Sequence, residues 1–272
     1  MTTQGGGVLR ALVTGATGGI GRATCLALAE SARARGLAPV LAVAASRPGE
    51  ALDALVAELA PRGVRAQGVH GDLADAAACV RVAEEAIACC DGLDLVVSNA
   101  GVAAAAPLAT LALDDWDRVF AVDVRATWLL AQAARAALAQ SRGAIVAVAS
   151  VSAHHPFPGL GAYSASKAAL VMLCRQLAQE WAADGIRVNS VSPGLVRTPL
   201  TEPIYRDEEV LRRRQRAVPL GRIGTAEDVA RTIVHLASPD AGYVTGIDVR
   251  VDGGLADSVL GTIPGKPSAR RP

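Results

Sequence analysis

Short runs of β-branched and other apolar residues alternate along the chain with longer Ala-, Leu-, Arg- and Glu-rich segments whose apolar positions recur every three to four residues. The runs predict strands over Leu9–Thr14, Val40–Ala45, Val64–His70, Leu93–Ser98, Ala144–Ala149, Arg187–Ser192 and Asp248–Val251. The helical period predicts helices over Gly19–Ala34, Glu50–Ala60, Asp75–Cys90, Asp114–Gln140, Tyr163–Ala183 and Thr225–Ala237. Regular strand–helix alternation predicts a single-domain α/β fold, a doubly wound parallel sheet of about seven strands with helices on both faces. No internal repeat and no Pro/Gly/Ser linker divides the chain. One domain is expected over 8–256, between an N-terminal segment 1–7 and a Pro/Arg-rich tail 257–272 that read as mobile ends.

Composition narrows the function. With 27 Lys+Arg against 26 Asp+Glu, the net charge of +1 supplies no field for nucleic acid or an anionic membrane. Aromatic residues make up 3% of the chain, too few for a base-stacking platform. The longest charge-free stretch, Gly143 to Ser166, holds two histidines and two prolines and does not read as a spanning helix. Five cysteines (Cys25, Cys79, Cys89, Cys90 and Cys174) have neither CxxC nor metal-ligand spacing, and no signal peptide is evident at Met1–Gly7. Reduced thiols and a cytoplasmic location are expected.

The first strand runs into Thr14-Gly15-Ala16-Thr17-Gly18-Gly19-Ile20-Gly21 and then a helix. Glycines let the backbone turn sharply and approach a pyrophosphate, while the helix N-terminus offers free N–H groups and the positive end of its dipole. Placed between the first strand and first helix of a βαβ unit, the loop predicts a Rossmann-type dinucleotide site.

The TGxxxGxG spacing resembles that of the short-chain dehydrogenase/reductases, in the branch that reduces ketones and oxidises alcohols. The resemblance extends from about Leu9 to Leu255. Asp72 of Gly71-Asp72-Leu73 matches the family's adenine-contacting Asp, and Asn99-Ala100-Gly101 matches its NAG turn. Ser150, Tyr163 and Lys167 match the catalytic Ser and the YxxxK pair; Asn189, Pro193-Gly194 and Thr198 match the segment beside the nicotinamide. The only lysines are Lys167 and Lys266 and the only asparagines Asn99 and Asn189, so rare residues fall on family positions. The resemblance implies cofactor contacts from Gly15, Thr17, Gly19, Ile20, Gly21, Ser46, Arg47, Asp72, Leu73, Asn99, Ala100, Gly101, Tyr163, Lys167, Pro193, Gly194, Val196 and Thr198.

Tyr163 and Lys167 lie four apart on a predicted helix and share a face. A neighbouring ammonium favours a phenolate over a phenol, so a tyrosine there suits general acid/base work on a ketone or alcohol oxygen. By resemblance, Lys167 also binds the nicotinamide ribose. Ser150, at the end of the fifth strand, is placed to hydrogen-bond the substrate oxygen. The family often has Asn where this chain has Asp123, and works through that residue's main-chain carbonyl; a carboxylate there is expected to alter the pH profile while leaving a working enzyme. His154 and His155 are adjacent and have no carboxylate at ligand spacing, so pocket rim or surface is expected and no metal.

The second strand ends Ala44-Ala45-Ser46-Arg47-Pro48, without the acidic residue that holds a ribose 2′-OH in NAD-preferring folds. Ser46 and Arg47 suit a 2′-phosphate, so NADP(H) is favoured, with NAD(H) as the alternative. Against this, Gly18 stands where many NADP-dependent relatives carry a basic residue.

The segment 198–219 is expected to cover the substrate. Its Arg206, Arg212, Arg213, Arg214 and Arg216 read either as an anion funnel or, preferred, as a solvated helix face balanced by Asp207, Glu208 and Glu209. Val102, Ser152, Phe157 and Leu200 point to a mostly apolar small-molecule carbonyl or alcohol. A 3-oxoacyl-carrier-protein or polyketide reductase is the alternative, weakened by Leu129 and Gln179 where such reductases use basic residues to dock the carrier. Nucleotide-sugar epimerases share YxxxK but use a different glycine spacing. A non-catalytic nucleotide sensor is disfavoured, because the Ser, Tyr and Lys are all present. The resemblance further implies a homo-oligomer, tetramer or dimer, built on the long helices over 114–140 and 163–183.

Overall fold

The computed structural model describes residues 7–258. Seven parallel strands form one sheet: β1 (Val8–Thr14), β2 (Ala38–Ala45), β3 (Arg65–His70), β4 (Leu95–Ser98), β5 (Ala144–Val148), β6 (Arg187–Pro193) and β9 (Asp248–Val251), in the order β3-β2-β1-β4-β5-β6-β9. Two residues each of β7 (Val196–Arg197) and β8 (Gly224–Thr225) form a separate small ladder that the apolar pattern does not announce.

Alternating side chains sort the sheet into two cores. Leu12, Ala42, Val96, Ile145 and Ala147 face α3 (Ala76–Cys90), α5 (Ala126–Ser141) and α6 (Tyr163–Trp181). Val13, Leu41, Val97, Val146 and Val148 face α1 (Gly19–Ala34), α2 (Glu50–Leu59) and α9 (Ala226–Ala237). Helices therefore cover both faces, which explains why β5, AIVAV, is buried at every position. Cys25 and Cys174 belong to these cores, and burial pushes each thiol up to about 12. All five cysteines are free.

Strand order reverses at β1, with β2 and β3 on one side and β4 onward on the other. This leaves a crevice at the C-terminal ends of β1 and β4, where open α/β sheets bind ligands.

The helix expected over 114–140 is divided. It begins as α4 (Leu113–Phe120), passes through a π-helical turn over Ala121–Arg125 and continues as α5. A π turn inserts residues without breaking the helix, so a 3.6-residue period does not reveal it; such turns often mark functional sites. The segment 198–219 carries two further helices, α7 (Glu202–Tyr205) and α8 (Glu208–Ala217). Of the expected mobile ends, residues 1–6 and 259–272 lie outside the described residues. Gly7 accepts a hydrogen bond from Ala38, and Asp257 pairs with Arg250 at 2.7 Å, so both are tied to the domain.

Candidate active site

The glycine-rich loop leaves β1 at Gly15, whose φ of +61° favours glycine. A Cβ on Gly21 would lie 2.2 Å from the Gly15 carbonyl oxygen, so loop and helix close only with glycine there. Ala16 N–H donates to the Ala44 carbonyl and fixes the loop beside the end of β2. No side chain caps the N-terminus of α1, and no acidic residue stands in its first turn. Thr17 is exposed, and Gly19 lies against the Thr198 side chain. A Cβ-free cradle opening onto an uncapped helix N-terminus fits a pyrophosphate.

Asn99 closes the other side of the crevice. Its Nδ2 donates to the carbonyls of Thr14 (2.9 Å) and Gly15 (3.1 Å), while Thr14 Oγ1 accepts from the N–H groups of Asn99 and Ala100. Thr14 is fully buried and locks β1 to the NAG turn; the sequence reading overlooked it, although it begins the glycine motif. Pro193 ends β6, and Gly194 packs on Asp252, where a Cβ would be 2.7 Å away. Val196 is buried in β7, and its carbonyl accepts from Thr201 Oγ1.

Other candidates at the rim differ in how they are engaged. Ser46 and Arg47 are exposed just beyond β2, and Arg47 has no ion-pair partner among the described residues. Asp72 accepts from Ala74 N–H and pairs with Arg118 at 3.1 Å; these contacts hold its carboxyl below the usual carboxylate range. The Leu73 side chain is buried in the core and its carbonyl accepts from Cys79, while Ile20, in the first turn of α1, packs partly buried against the core. Asn189 sits away from this crevice: its side chain accepts from Ile247 N–H and donates to the Val244 carbonyl, holding the approach to β9.

Ser150 follows β5 in extended conformation, and its Oγ accepts from Ser152 N–H at 3.1 Å. Tyr163 is the first residue of α6, with the Lys167 ammonium 5.5 Å from its ring centre. Lys167 is 3% exposed; Nζ donates to the Val148 carbonyl (3.1 Å) and lies 3.3 Å from Asp123 Oδ2. Asp123, in the π turn, is 1% exposed; Oδ1 accepts from Val102 N–H (2.9 Å) and Oδ2 from Ser166 Oγ (3.1 Å). Gly101 passes beside both, where a Cβ would stand 3.1 Å from Lys167 Nζ. Four elements thus meet on one buried ion pair. Ser166 was not singled out from sequence, although it lies on α6, three residues after Tyr163.

His154 does not join this cluster. Its Nε2 hydrogen-bonds Asp248 Oδ2 at 2.7 Å, tying the loop after Ser150 to the edge strand β9. Among the described residues no group of His, Cys, Asp and Glu is arranged to hold a metal ion.

In the covering segment, Arg212 and Arg213 pair with Glu208 and Glu209 one turn earlier, and Asp207 caps α8. Arg206, Arg214 and Arg216 have no carboxylate partner among the described residues. Phe157 and Leu200 are exposed, the latter at 89%, whereas Ser152 is buried.

Residues 15–256 match the family model described as enoyl-(acyl carrier protein) reductase. The chain is 39% identical to mouse (3R)-3-hydroxyacyl-CoA dehydrogenase, over 90% of this chain and 95% of that one. It is 36% identical to a Synechocystis 3-oxoacyl-[acyl-carrier-protein] reductase, over 90% and 96%. Among solved structures, a Pseudomonas aeruginosa NADP active-site complex is 28% identical with a TM-score of 0.83, covering 92% of this chain and 97% of that one. With its motifs in order along one doubly wound sheet, the chain belongs to the short-chain dehydrogenase/reductase family of oxidoreductases.

Proposed function

We propose that the protein transfers a hydride between NADP(H) and a ketone or secondary alcohol, with Tyr163 as general acid and base. The observation that carries this reading is the placement of Lys167: buried, pinned to the carbonyl two residues before Ser150, and one helical turn from Tyr163. NADPH, when bound, supplies the hydride. Tyr163 gives its phenolic proton to the carbonyl oxygen as the alcohol forms and takes it back in the oxidation. The Lys167 ammonium stabilises negative charge building on the phenol oxygen, and Ser150 donates to the substrate oxygen. Of the three N–H groups on Lys167, two face Val148 and Asp123, which leaves one for the nicotinamide ribose. Asp123 holds Lys167 in place by its side-chain carboxylate.

The residues at the cradle, Gly15, Thr17, Gly19, Ile20 and Gly21, are assigned to the pyrophosphate. Asp72 and Leu73 are assigned to the adenine, with Leu73 limited to its main chain. Asn99, Ala100, Gly101, Pro193, Gly194, Val196 and Thr198 are assigned to the nicotinamide half. Exposed Arg47, which has no carboxylate partner among the described residues, stands beside Ser46 and favours the 2′-phosphate of NADP(H) over NAD(H).

The exposed apolar side chains of Phe157 and Leu200 support an apolar carbonyl substrate. A 3-oxoacyl thioester is the second reading, favoured by the mouse and Synechocystis relatives and opposed by Leu129 and Gln179. A homo-oligomer is supported by Trp128 on α5 and Met172 on α6, which are 43% and 58% exposed. Size-exclusion chromatography with light scattering tests it, and a monomer rejects it.

The deciding experiment follows NADPH and NADH consumption over a panel of ketones, 3-oxoesters, steroids, quinones and cyclic diketones, with Tyr163→Phe beside wild type. Turnover by wild type alone is expected. Equal rates from both proteins would remove Tyr163 from the mechanism. Silence from wild type despite measured NADPH binding would favour the sensor.

A further inference from the structure

At the end of the sheet opposite the crevice lies a cleft of about 520 Å³. It opens among the N-terminal ends of the strands, with Val8 at the start of β1, Gly143 just before β5 and Arg187 at the start of β6 on its wall. β1 is seven residues long, so roughly 20 Å separates this cleft from the glycine-rich loop. Its size falls within the range of small-molecule sites.

The wall has two characters. Leu9, Leu28, Leu37 and Val234 form its apolar part. Three arginines, Arg35, Arg142 and Arg187, also line it. The one carboxylate on the wall, Asp94, is committed: both of its oxygens accept from Arg10, at 2.8 and 3.1 Å. None of the three wall arginines has an ion-pair partner among the described residues. Arg187 is half buried and its guanidinium meets only the carbonyls of Leu236, Ala237 and Ser238. Burial without a counter-charge lowers its pKa.

Helix-end compensation explains part of this charge. Arg35 and Arg142 are the C-terminal caps of α1 and α5, and Arg187 caps the end of α9. The turn that ends α6 also reaches the wall, at Gly185. Each helix C-terminus carries about −0.5 of an elementary charge, so the four ends offset about two of the three positive charges. About one positive charge remains unanswered beside an apolar wall.

We infer that this cleft is a second ligand site, separate from the nucleotide crevice, for an amphiphilic monoanion: a carboxylate with a medium-length hydrocarbon tail. The carboxylate sits among Arg35, Arg142 and Arg187, and the tail lies on Leu9, Leu37 and Val234. A cation would be repelled, and a small anion without a tail would leave the apolar side wet.

Isothermal titration of the full chain with decanoate, below its micellar concentration and with NADPH saturating, tests the site. Decylamine and acetate serve as controls. Decanoate is expected to bind with NADPH in place, and acetate and decylamine at least tenfold more weakly. Arg35 and Arg142 are exposed and stand outside the catalytic cluster, so the Arg35→Glu/Arg142→Glu double variant is expected to fold and to retain its nucleotide affinity. It is expected to weaken decanoate at least tenfold. Absence of decanoate binding, equal binding of decylamine or acetate, competition between decanoate and NADPH, or undiminished binding by the double variant would each overturn the assignment.

Discussion

The ammonium of Lys167 stands 3.3 Å from the carboxylate of Asp123, and both side chains are shut away from solvent. Removing one partner of a buried pair leaves the other uncompensated, at a cost of about 3 kcal/mol or more. Asp123→Ala also strips Val102 N–H of its acceptor. The variant is expected to lose about 3 kcal/mol of unfolding free energy in urea, at matched protein concentration. Asp123→Asn keeps an oxygen for Val102 and is expected to lose less than half as much. Alanine and wild type unfolding together would show that the pair contributes nothing to stability.

Gly21 tests the nucleotide cradle. A methyl group there would meet the Gly15 carbonyl at 2.2 Å and Asn99 Nδ2 at 2.8 Å. Both atoms belong to the hydrogen bonds that join the loop to the NAG turn, so neither yields without opening the crevice. Gly21→Ala is expected to fold by circular dichroism and to bind NADPH at least tenfold more weakly by fluorescence titration. Wild-type affinity would remove this loop from the nucleotide site.

Much of this arrangement was legible in the sequence because its physics is local. Strands such as β5 are covered on both faces and read as unbroken apolar runs, so a doubly wound parallel sheet followed from their alternation with helices, whereas the order of its strands did not. The motifs then placed Ser150, Tyr163 and Lys167 at the C-terminal ends of strands or the start of a helix. What escaped is non-local. The hydrogen bond from His154 to Asp248 spans 94 residues, and nothing in either segment announces the other. The contact of Asp123 with Lys167 depends on a π turn that a helical period cannot resolve. The cleft around Arg187 is assembled from segments spread over almost the whole described chain.

Arg47 decides between the two nicotinamide nucleotides. It stands exposed just past β2, with no carboxylate partner among the described residues. A charge-assisted hydrogen bond to a 2′-phosphate contributes about 1.5 kcal/mol, or roughly tenfold in affinity. Arg47→Ala is therefore expected to raise the Kd for NADPH about tenfold and leave that for NADH unchanged. Equal affinities in wild type, with NADPH binding untouched by the substitution, would reject the NADP(H) preference.

Asp228 links stability to pH. Its carboxylate accepts from Arg222 at 2.6 and 3.0 Å and from Thr225 N–H at 2.8 Å, while Thr225 Oγ1 accepts from Asp228 N–H in return, closing a capping box on α9. Arg222 foremost, then the Thr225 N–H, lowers the carboxyl from 3.8 to about 2. A carboxyl depressed by folding adds stability that is complete above its unfolded value and lost as pH falls through the folded one. The group is near the surface, so solvent screens the ion pair and the pH-dependent contribution is about 1 kcal/mol or less. Asp228→Ala is expected to unfold at lower urea than wild type at pH 7, and the gap should close between about pH 4 and pH 2. A gap that stayed constant over that interval would mean that the carboxylate charge plays no part in holding α9.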